Sequence, residues 1–218
     1  LFLYFKINSM SDHIKHECGI AMLRLLKPID YYQKKYGTSF YGLNKMYLLM
    51  EKQHNRGQDG AGIANIKLDV NPGERYISRK RSVDANPIQD VFKQVNKRFI
   101  ELEKTNPEKL KDLKWMKKNL PFTGELFLGH LRYGTFGGNT IEQCHPFLRQ
   151  NNWKTRNLVL AGNFNMTNVD ELFEQLIDIG QHPKEMADAV TILEKIGHFL
   201  DEANDEIYPD NKEDYYFG

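Results

Sequence analysis

Short strand-like segments separated by glycine, proline or asparagine are the feature that most constrains how this chain can fold. These segments are CGIAMLRL, GIANIKL, RYISRK, GELFLGHLRYGTF and RNLVLAGNF. Each is rich in β-branched residues or alternates between apolar and polar residues, which is the pattern of a half-buried strand. The chain is therefore predicted to form its core around β-sheet.

Helical patterns flank these strands. Apolar residues recur at three- and four-residue spacing in YGLNKMYLLMEKQHN, after Thr167, and again from Ile192 to Leu200. Asn168 and Glu171 are predicted to cap the helix that follows Thr167. The segment RGQDGAGI is predicted to be a loop. Strands with helices before and after them favour a layered α/β or α+β sandwich.

A lysine-rich segment lies between about residue 86 and residue 119. A basic arm that binds nucleic acid is one interpretation. Acidic residues alternate with the lysines, however, and this pattern favours a solvated helical hairpin.

Composition excludes several classes of function. The 218 residues carry a formal net charge of +1, which gives no electrostatic case for nucleic acid or an anionic membrane as a partner. The first apolar residues, LFLYFKINS, are too short to span a bilayer. Two cysteines cannot form a disulfide framework and fit a reduced, cytoplasmic setting.

The two cysteines differ in their candidate chemistry. Cys18, which precedes a glycine at the edge of a predicted strand, is either a nucleophile or a buried small residue. Cys144 is next to His145, but adjacent side chains in a strand point to opposite faces, so a thiol–imidazole pair is not expected. A metal site is not expected either, because His13, His16 and Cys18 have no second ligand cluster.

Four motifs give a more specific hypothesis when they are taken together. In chain order they are ECGI, QHNRGQDGAGI, GHLRYGTFGG and GNFNMTN. Their order and spacing over about residues 16–200 resemble the class II glutamine amidotransferases, and most closely the amidophosphoribosyltransferase branch. The hexosamine-forming branch would be expected to show RGYDSAG and RWAT instead. The resemblance implies an α+β fold, a four-layer α-β-β-α sandwich of the N-terminal-nucleophile hydrolase type.

The resemblance also implies roles for individual residues. Cys18, once its α-amino group is free, would attack the side-chain amide of glutamine, with that amine as the base. Arg132 would bind the substrate carboxylate and Asp188 the substrate ammonium group. The side chain of Asn163 and the backbone N–H of Phe164 would stabilise the oxyanion.

Three further residues are expected to line the glutamine pocket: Tyr133, Thr135 and Arg56. The sequence departs from the family pattern HNGNLTN, because Gly162 replaces the histidine and Phe164 replaces the glycine. Phe164 can supply a backbone donor only where the local φ suits a residue with a Cβ atom. Asn55 also interrupts the usual QHRGQ.

The mechanism implied by the resemblance sets the expected domain organisation. A free α-amine on Cys18 requires that residues 1–17 are a leader, with Met10 as a candidate start and residues 1–9 as candidate untranslated sequence. Residues 18–205 are expected to form the glutaminase domain, with a helical insert at about 86–119. Residues 206–218 are expected to begin a linker to a phosphoribosyltransferase domain.

The expected function is hydrolysis of glutamine to glutamate and ammonia, through a cysteinyl thioester, for phosphoribosylamine formation in purine synthesis. No cofactor is expected in this part of the protein, and Mg²⁺ is expected only in the phosphoribosyltransferase domain. The expected partners are glutamine, that domain and further copies of the chain. Two alternatives stay open: another class II amidotransferase of the hexosamine-forming type, or a non-catalytic glutamine-sensing domain.

Overall fold

The computed structural model describes residues 17–134 and 140–208. The strands are β1 (Gly19–Arg24), β2 (Gly60–Ile66), β3 (Ile77–Ser82), β4 (Leu126–Arg132), β5 (Phe147–Arg149) and β6 (Leu158–Leu160). The helices are α1 (Ile29–Tyr36), α2 (Tyr41–Lys52), α3 (Pro87–Thr105), α4 (Leu113–Asn119), α5 (Val169–Asp178) and α6 (Asp188–Ile207). Short 3₁₀ turns occur at His54–Arg56, Pro107–Leu110 and Lys154–Arg156.

The main sheet is antiparallel and has the strand order β1-β4-β2-β3. Strand β4 lies in its interior, where Leu131 pairs with Gly19 of β1 on one side and with Ala61 of β2 on the other. The α2 and α3 helices pack on one face of this sheet. Their apolar side chains, together with those of the sheet, form the main hydrophobic core.

The opposite face of the main sheet meets a second layer. Gly62 of β2 lies so close to the backbone of His145 that a Cβ atom would overlap its carbonyl oxygen. The chain continues from His145 into β5, which pairs with β6, and α6 packs on both strands. Helix α5 packs on α6. The layers therefore run helix, sheet, sheet, helix, which confirms the predicted α+β sandwich.

An arginine ties the second sheet to its helix. Arg149 of β5 donates to Glu194 at 3.1 Å and forms a bidentate pair with Asp201, both on α6. Gly197 of α6 leaves room for this guanidinium, because a Cβ at that position would overlap the Arg149 side chain. Because all three charged side chains are largely buried, this ion pair fixes how α6 lies on β5.

The lysine-rich segment is more closely integrated than a solvated hairpin. Its long helix α3 buries an apolar face against β2 and β3. That face consists of Ile88, Val91, Phe92, Val95, Phe99 and Leu102. Only the outer face carries the exposed lysines and glutamates, as its charge pattern predicts.

Other local predictions differ from the structure. Asn168 precedes α5 but its side chain makes no capping hydrogen bond, so the predicted cap is wrong in that respect. Strand β2 begins at Gly60, inside the segment predicted as a loop. Helix α6 runs to Ile207 and leaves Phe199 exposed. The leader up to residue 16 and the linker from residue 209 lie outside the described residues.

Within the described ranges, no helix has both the length and the apolar character needed to cross a membrane.

Candidate active site

Cys18 lies at the start of β1, at one end of the main sheet. Its side chain is half-buried, and the backbone N–H of Tyr133 donates to its Sγ atom at 3.4 Å. This contact follows from the antiparallel register, since Gly19 pairs with Leu131 and Cys18 therefore faces the end of β4. The structure thus brings the first and third sequence motifs together.

Arg132 is the last residue of β4 and points toward the second sheet. Residues two apart in a strand share a face, so Arg132 lies on the same side as His130. The Arg132 side chain is buried, and its Nη2 atom donates to the Gln143 side-chain oxygen at 2.7 Å. Gln143 therefore holds the guanidinium from the segment that precedes β5.

The RGQDGAG motif wraps around the end of β4. Asp59 donates its backbone N–H to the Arg132 carbonyl at 3.1 Å, and its carboxylate accepts the backbone N–H of Gly134 at 2.7 Å. Gly57 lies against the backbone of Arg132, where a Cβ atom would be 2.5 Å from the carbonyl carbon. Only glycine allows this approach. Arg56 lies beside Gly19, and its Cβ atom is 3.3 Å from the point that a Cβ atom on residue 19 would occupy.

The GNFNMTN motif approaches the sheet from the second layer. The Gly162 carbonyl oxygen lies 3.2 Å from Nε2 of His130. Asn163 is exposed and Phe164 is half-buried. Phe164 does not have a positive φ, so this position does not require glycine and a phenylalanine can present its backbone N–H.

Asp188 is joined to the same motif. It is the first residue of α6, and its carboxylate accepts the backbone N–H of Met166 at 2.9 Å. A position in the first turn of α6 is therefore compatible with the role expected for Asp188. Thr135 lies outside the described residues.

Two groups of predicted site residues result from this arrangement. Cys18, Arg56, Arg132 and Tyr133 meet at one end of the main sheet. Asn163, Phe164 and Asp188 lie in the facing layer, which contacts β4 through His130. Neither group is contiguous in sequence, so the fold assembles both.

The sequence did not single out three residues that hold the site in place: Asp59, Gln143 and His130. Asp59 belongs to the RGQDGAG motif. Because aspartate followed by glycine is a common turn-forming pattern, the local sequence could have indicated the role of Asp59. Gln143 and His130 act through tertiary contacts that no local pattern indicates.

The interior beside the site disfavours charge on histidine. Burial lowers the pKa of His130 to about 3, and the neighbouring His145 ring contributes in the same direction. Burial likewise lowers the pKa of His145 to about 4, although a backbone hydrogen bond with Leu160 acts in the opposite direction. Both imidazoles are therefore neutral near pH 7.

Cys144 is unsuited to nucleophilic attack. It is fully buried, its thiol donates to the Ala61 carbonyl at 3.3 Å, and burial raises its pKa to about 11. The described residues contain no group of three or more His, Cys, Asp or Glu side chains that could hold a metal ion.

Comparison with known proteins points to one enzyme family. No protein-family model matches the chain. Amidophosphoribosyltransferase from Methanothermobacter thermautotrophicus is 26% identical over 197 residues, which are 90% of this chain. The enzyme of the same name from Bacillus subtilis is 30% identical over 74% of this chain, and that from Lacticaseibacillus casei is 29% identical over 62%. The chain is a relative of the amidophosphoribosyltransferases.

The match covers only part of each amidophosphoribosyltransferase. It spans 33% of the M. thermautotrophicus protein, 26% of the B. subtilis protein and 53% of the L. casei protein. A solved structure titled "Structure of the allosteric regulatory enzyme of purine biosynthesis" is 26% identical over 66% of this chain, with a TM-score of 0.43. Because this TM-score is low, the fold assignment rests on the sheet topology of the chain itself.

Proposed function

We propose that this chain is the glutamine-hydrolysing domain of an amidophosphoribosyltransferase, with Cys18 as the nucleophile. The observation that carries the proposal is the contact between Cys18 and the end of β4. The backbone N–H of Tyr133 lies 3.4 Å from the Cys18 sulfur, next to Arg132. Strand pairing thus places the proposed nucleophile and the proposed carboxylate-binding residue at the same end of the main sheet, where one substrate could contact both.

The proposed reaction uses each group for the chemistry it suits. The Cys18 thiolate attacks the amide carbon of glutamine, and ammonia leaves to give a thioester, which water hydrolyses to glutamate. Arg132 offers two parallel N–H donors to the substrate carboxylate, and the Asp188 carboxylate binds the ammonium group. The Asn163 side chain and the Phe164 N–H stabilise the oxyanion formed during attack.

A proton acceptor for the thiol comes from the same residue. A free α-amine with a pKa of about 8 matches a thiol with a pKa of about 8.5, so no histidine base is needed. This match agrees with the neutral, buried state of both nearby histidines. The peptide bond between Glu17 and Cys18 must then be cleaved before the domain becomes active.

We propose self-processing for this cleavage. The Cys18 thiol attacks the Glu17 carbonyl carbon, the C–N bond breaks as the nitrogen takes a proton, and water hydrolyses the resulting thioester. Mass measurement of the protein from a native-like host should then show a chain that begins at Cys18. Cys18→Ala should retain its leader, and loss of the leader from that variant would contradict self-processing.

Glutamate release by two forms of the protein tests the activity. One form, freed from an N-terminal fusion by proteolysis, begins at Cys18. The other still carries Glu17, and its intact mass is measured before and after the assay to verify that it has not processed itself. We expect glutamate only from the first form, and none from its Cys18→Ser variant. Absence of glutamate from the chain that begins at Cys18 would refute the proposal. Binding of glutamine without turnover would favour a glutamine-sensing domain instead.

A second test concerns the oxyanion. Asn163→Ala should lower kcat by about 10²- to 10³-fold, as loss of a comparable donor does in other enzymes. A change confined to KM would show that Asn163 contacts a part of glutamine that does not react.

The activity proposed for the whole protein extends this reaction. Ammonia would pass to a phosphoribosyltransferase domain of the same chain, which aminates phosphoribosyl pyrophosphate with the help of Mg²⁺. We further propose a cytoplasmic homo-oligomer. Ammonia-dependent formation of phosphoribosylamine by the full-length protein would test the second domain, and a hexosamine product would identify the alternative branch.

A further inference from the structure

A pair of buried histidines lies directly behind the GNFNMTN motif and has no role in the proposed chemistry. His130 is fully buried on β4, and the His145 ring packs on it with 4.5 Å between ring centroids. The backbone of His145 crosses the main sheet at Gly62, the residue that pairs with His130. The His130 ring therefore packs against the His145 ring at the point where the second layer crosses the main sheet.

The one polar partner of His130 among the described residues is the motif itself. Its Nε2 atom lies 3.2 Å from the Gly162 carbonyl oxygen, whereas its Nδ1 atom has no hydrogen-bond partner. Because a carbonyl oxygen can only accept a hydrogen bond, Nε2 must carry the hydrogen and Nδ1 of the neutral ring carries none. The contact thus specifies the Nε2–H tautomer.

We propose that His130 is a positioning residue whose Nε2–H group anchors the Gly162 carbonyl and thereby orients the oxyanion donors of Asn163 and Phe164. The inference rests on the proposed function. Its physical basis is peptide planarity, since the Gly162 carbonyl and the Asn163 nitrogen belong to one rigid unit. Fixing that oxygen fixes the plane from which the Asn163 side chain and, one residue later, the Phe164 N–H project.

Neutrality makes this anchor specific. Burial is the main cause of the lowered pKa of His130, and His145 and Arg132 act in the same direction. Burial likewise lowers the pKa of His145, and Arg132 and Arg81 add to this effect. A protonated His130 would place a second N–H group where no acceptor lies. The ring is thus suited to donate one hydrogen bond without taking part in proton transfer.

Two substitutions of His130 separate anchoring from packing. His130→Phe keeps a buried ring but removes the donor, whereas His130→Gln keeps an N–H donor at a similar distance from the backbone. In the chain that begins at Cys18, we expect His130→Phe to lower kcat about 10-fold or more with little change in KM. We expect His130→Gln to recover most of that loss.

His198→Phe and His198→Gln are the matched controls. His198 lies on α6 and pairs with Glu202 of the same helix, and it makes no contact with a predicted site residue among those that the structure records for it. Both variants should retain the kcat of the unmodified chain. Equal losses in His130→Phe and His130→Gln, or a loss confined to KM, would overturn the positioning role.

Nitrogen-15 spectra of labelled histidine give a readout that does not depend on turnover. We expect His130 to be the Nε2–H tautomer at pH 7 and the Gly162 carbonyl carbon to shift in His130→Phe but not in His130→Gln. An Nδ1–H tautomer would overturn the anchor. An inactive protein with the anchor intact would instead refute the proposed function, and full kcat in His130→Phe would refute the positioning role alone.

Discussion

The ring of Phe164 lies over the α carbon of Gly162 and fills the space in which a side chain at position 162 would begin. The same ring lies 5.8 Å from that of His145. Both positions depart from the family pattern HNGNLTN, and the two departures are matched in space. The residue that lacks a side chain lies beneath the residue that has gained one.

This relationship predicts that the two positions are energetically coupled. Gly162 does not have a positive φ, so alanine is opposed there by the Phe164 ring and not by the backbone conformation. Gly162→Ala should lower the free energy of unfolding by about 1–3 kcal/mol. In a Phe164→Ala background the same change should cost less than about 0.5 kcal/mol. Urea denaturation of the four proteins measures the coupling, and additive effects would contradict it.

The two cysteines should react very differently with an alkylating agent. Cys18 is half-buried, whereas Cys144 is fully buried and donates to the Ala61 carbonyl. Iodoacetamide should therefore label the native protein once, at Cys18, and label Cys144 only after unfolding. Mass spectrometry of the labelled peptides measures this.

Matched serine variants connect this labelling to activity. Cys18→Ser should take up no label in the native state and should release no glutamate. Cys144→Ser should keep most glutaminase activity, because a hydroxyl can donate to the same carbonyl. Labelling of native Cys18→Ser would show that Cys144 is accessible, contrary to its burial.

Substitutions at the two substrate-binding candidates should act chiefly on KM. Arg132→Lys loses the planar fork that a carboxylate prefers, and Asp188→Asn loses the charge that faces an ammonium group. An asparagine at 188 can still accept the Met166 N–H, so this variant tests charge without removing the structural contact. We expect KM for glutamine to rise about 10-fold or more in each.

The controls for these substitutions use the same chemistry elsewhere. Asp178→Asn, at the exposed end of α5, should leave KM unchanged. Asp188→Ala should reduce both affinity and stability, because it also removes the acceptor for Met166. Equal KM values in Asp188→Asn and the unmodified chain would exclude an ammonium-binding role for Asp188.

The fold could be predicted from sequence where the pattern is long and regular. The apolar face of α2 and the alternation in β1 are local signals of this kind, and the structure confirms them. The buried face of α3 was missed, because its segment was predicted to be solvated from its charges. Strand β5 and helix α1 were missed, since three residues in one and tyrosines in the other give weak periodicity. The spacing from Ile192 to Leu200 predicts one apolar face, yet Phe199 within it is exposed.

The candidate site could be listed from sequence but not assembled. The motifs supplied Cys18 and Arg132, and the resemblance supplied Asp188, yet nothing local shows that β1 pairs with β4 or that Met166 donates to Asp188. The supporting contacts of Gln143 and His130 depend on residues far apart in the chain, so they become visible only when the layers are in place.

The two buried histidines should make stability depend on pH. Their folded pKa values of about 3 and about 4 lie below the ordinary value of 6.5, so the unfolded chain binds more protons between these limits. The free energy of unfolding should therefore be retained above about pH 6.5 and fall as the pH decreases below it.

The expected magnitude allows a direct test. Each histidine contributes up to about 1.4 kcal/mol per pH unit, so the pair should cost about 2–3 kcal/mol between pH 7 and pH 5.5. Carboxylates with lowered pKa values, such as Asp201 beside Arg149, give a slope of the same sign at lower pH. The His130→Gln/His145→Gln variant retains the carboxylates, so urea denaturation of this variant separates their contribution to the pH dependence from that of the histidines. We expect a distinctly flatter dependence between pH 7 and pH 5.5 in this variant, and an unchanged slope would mean that the histidines titrate normally in the folded state.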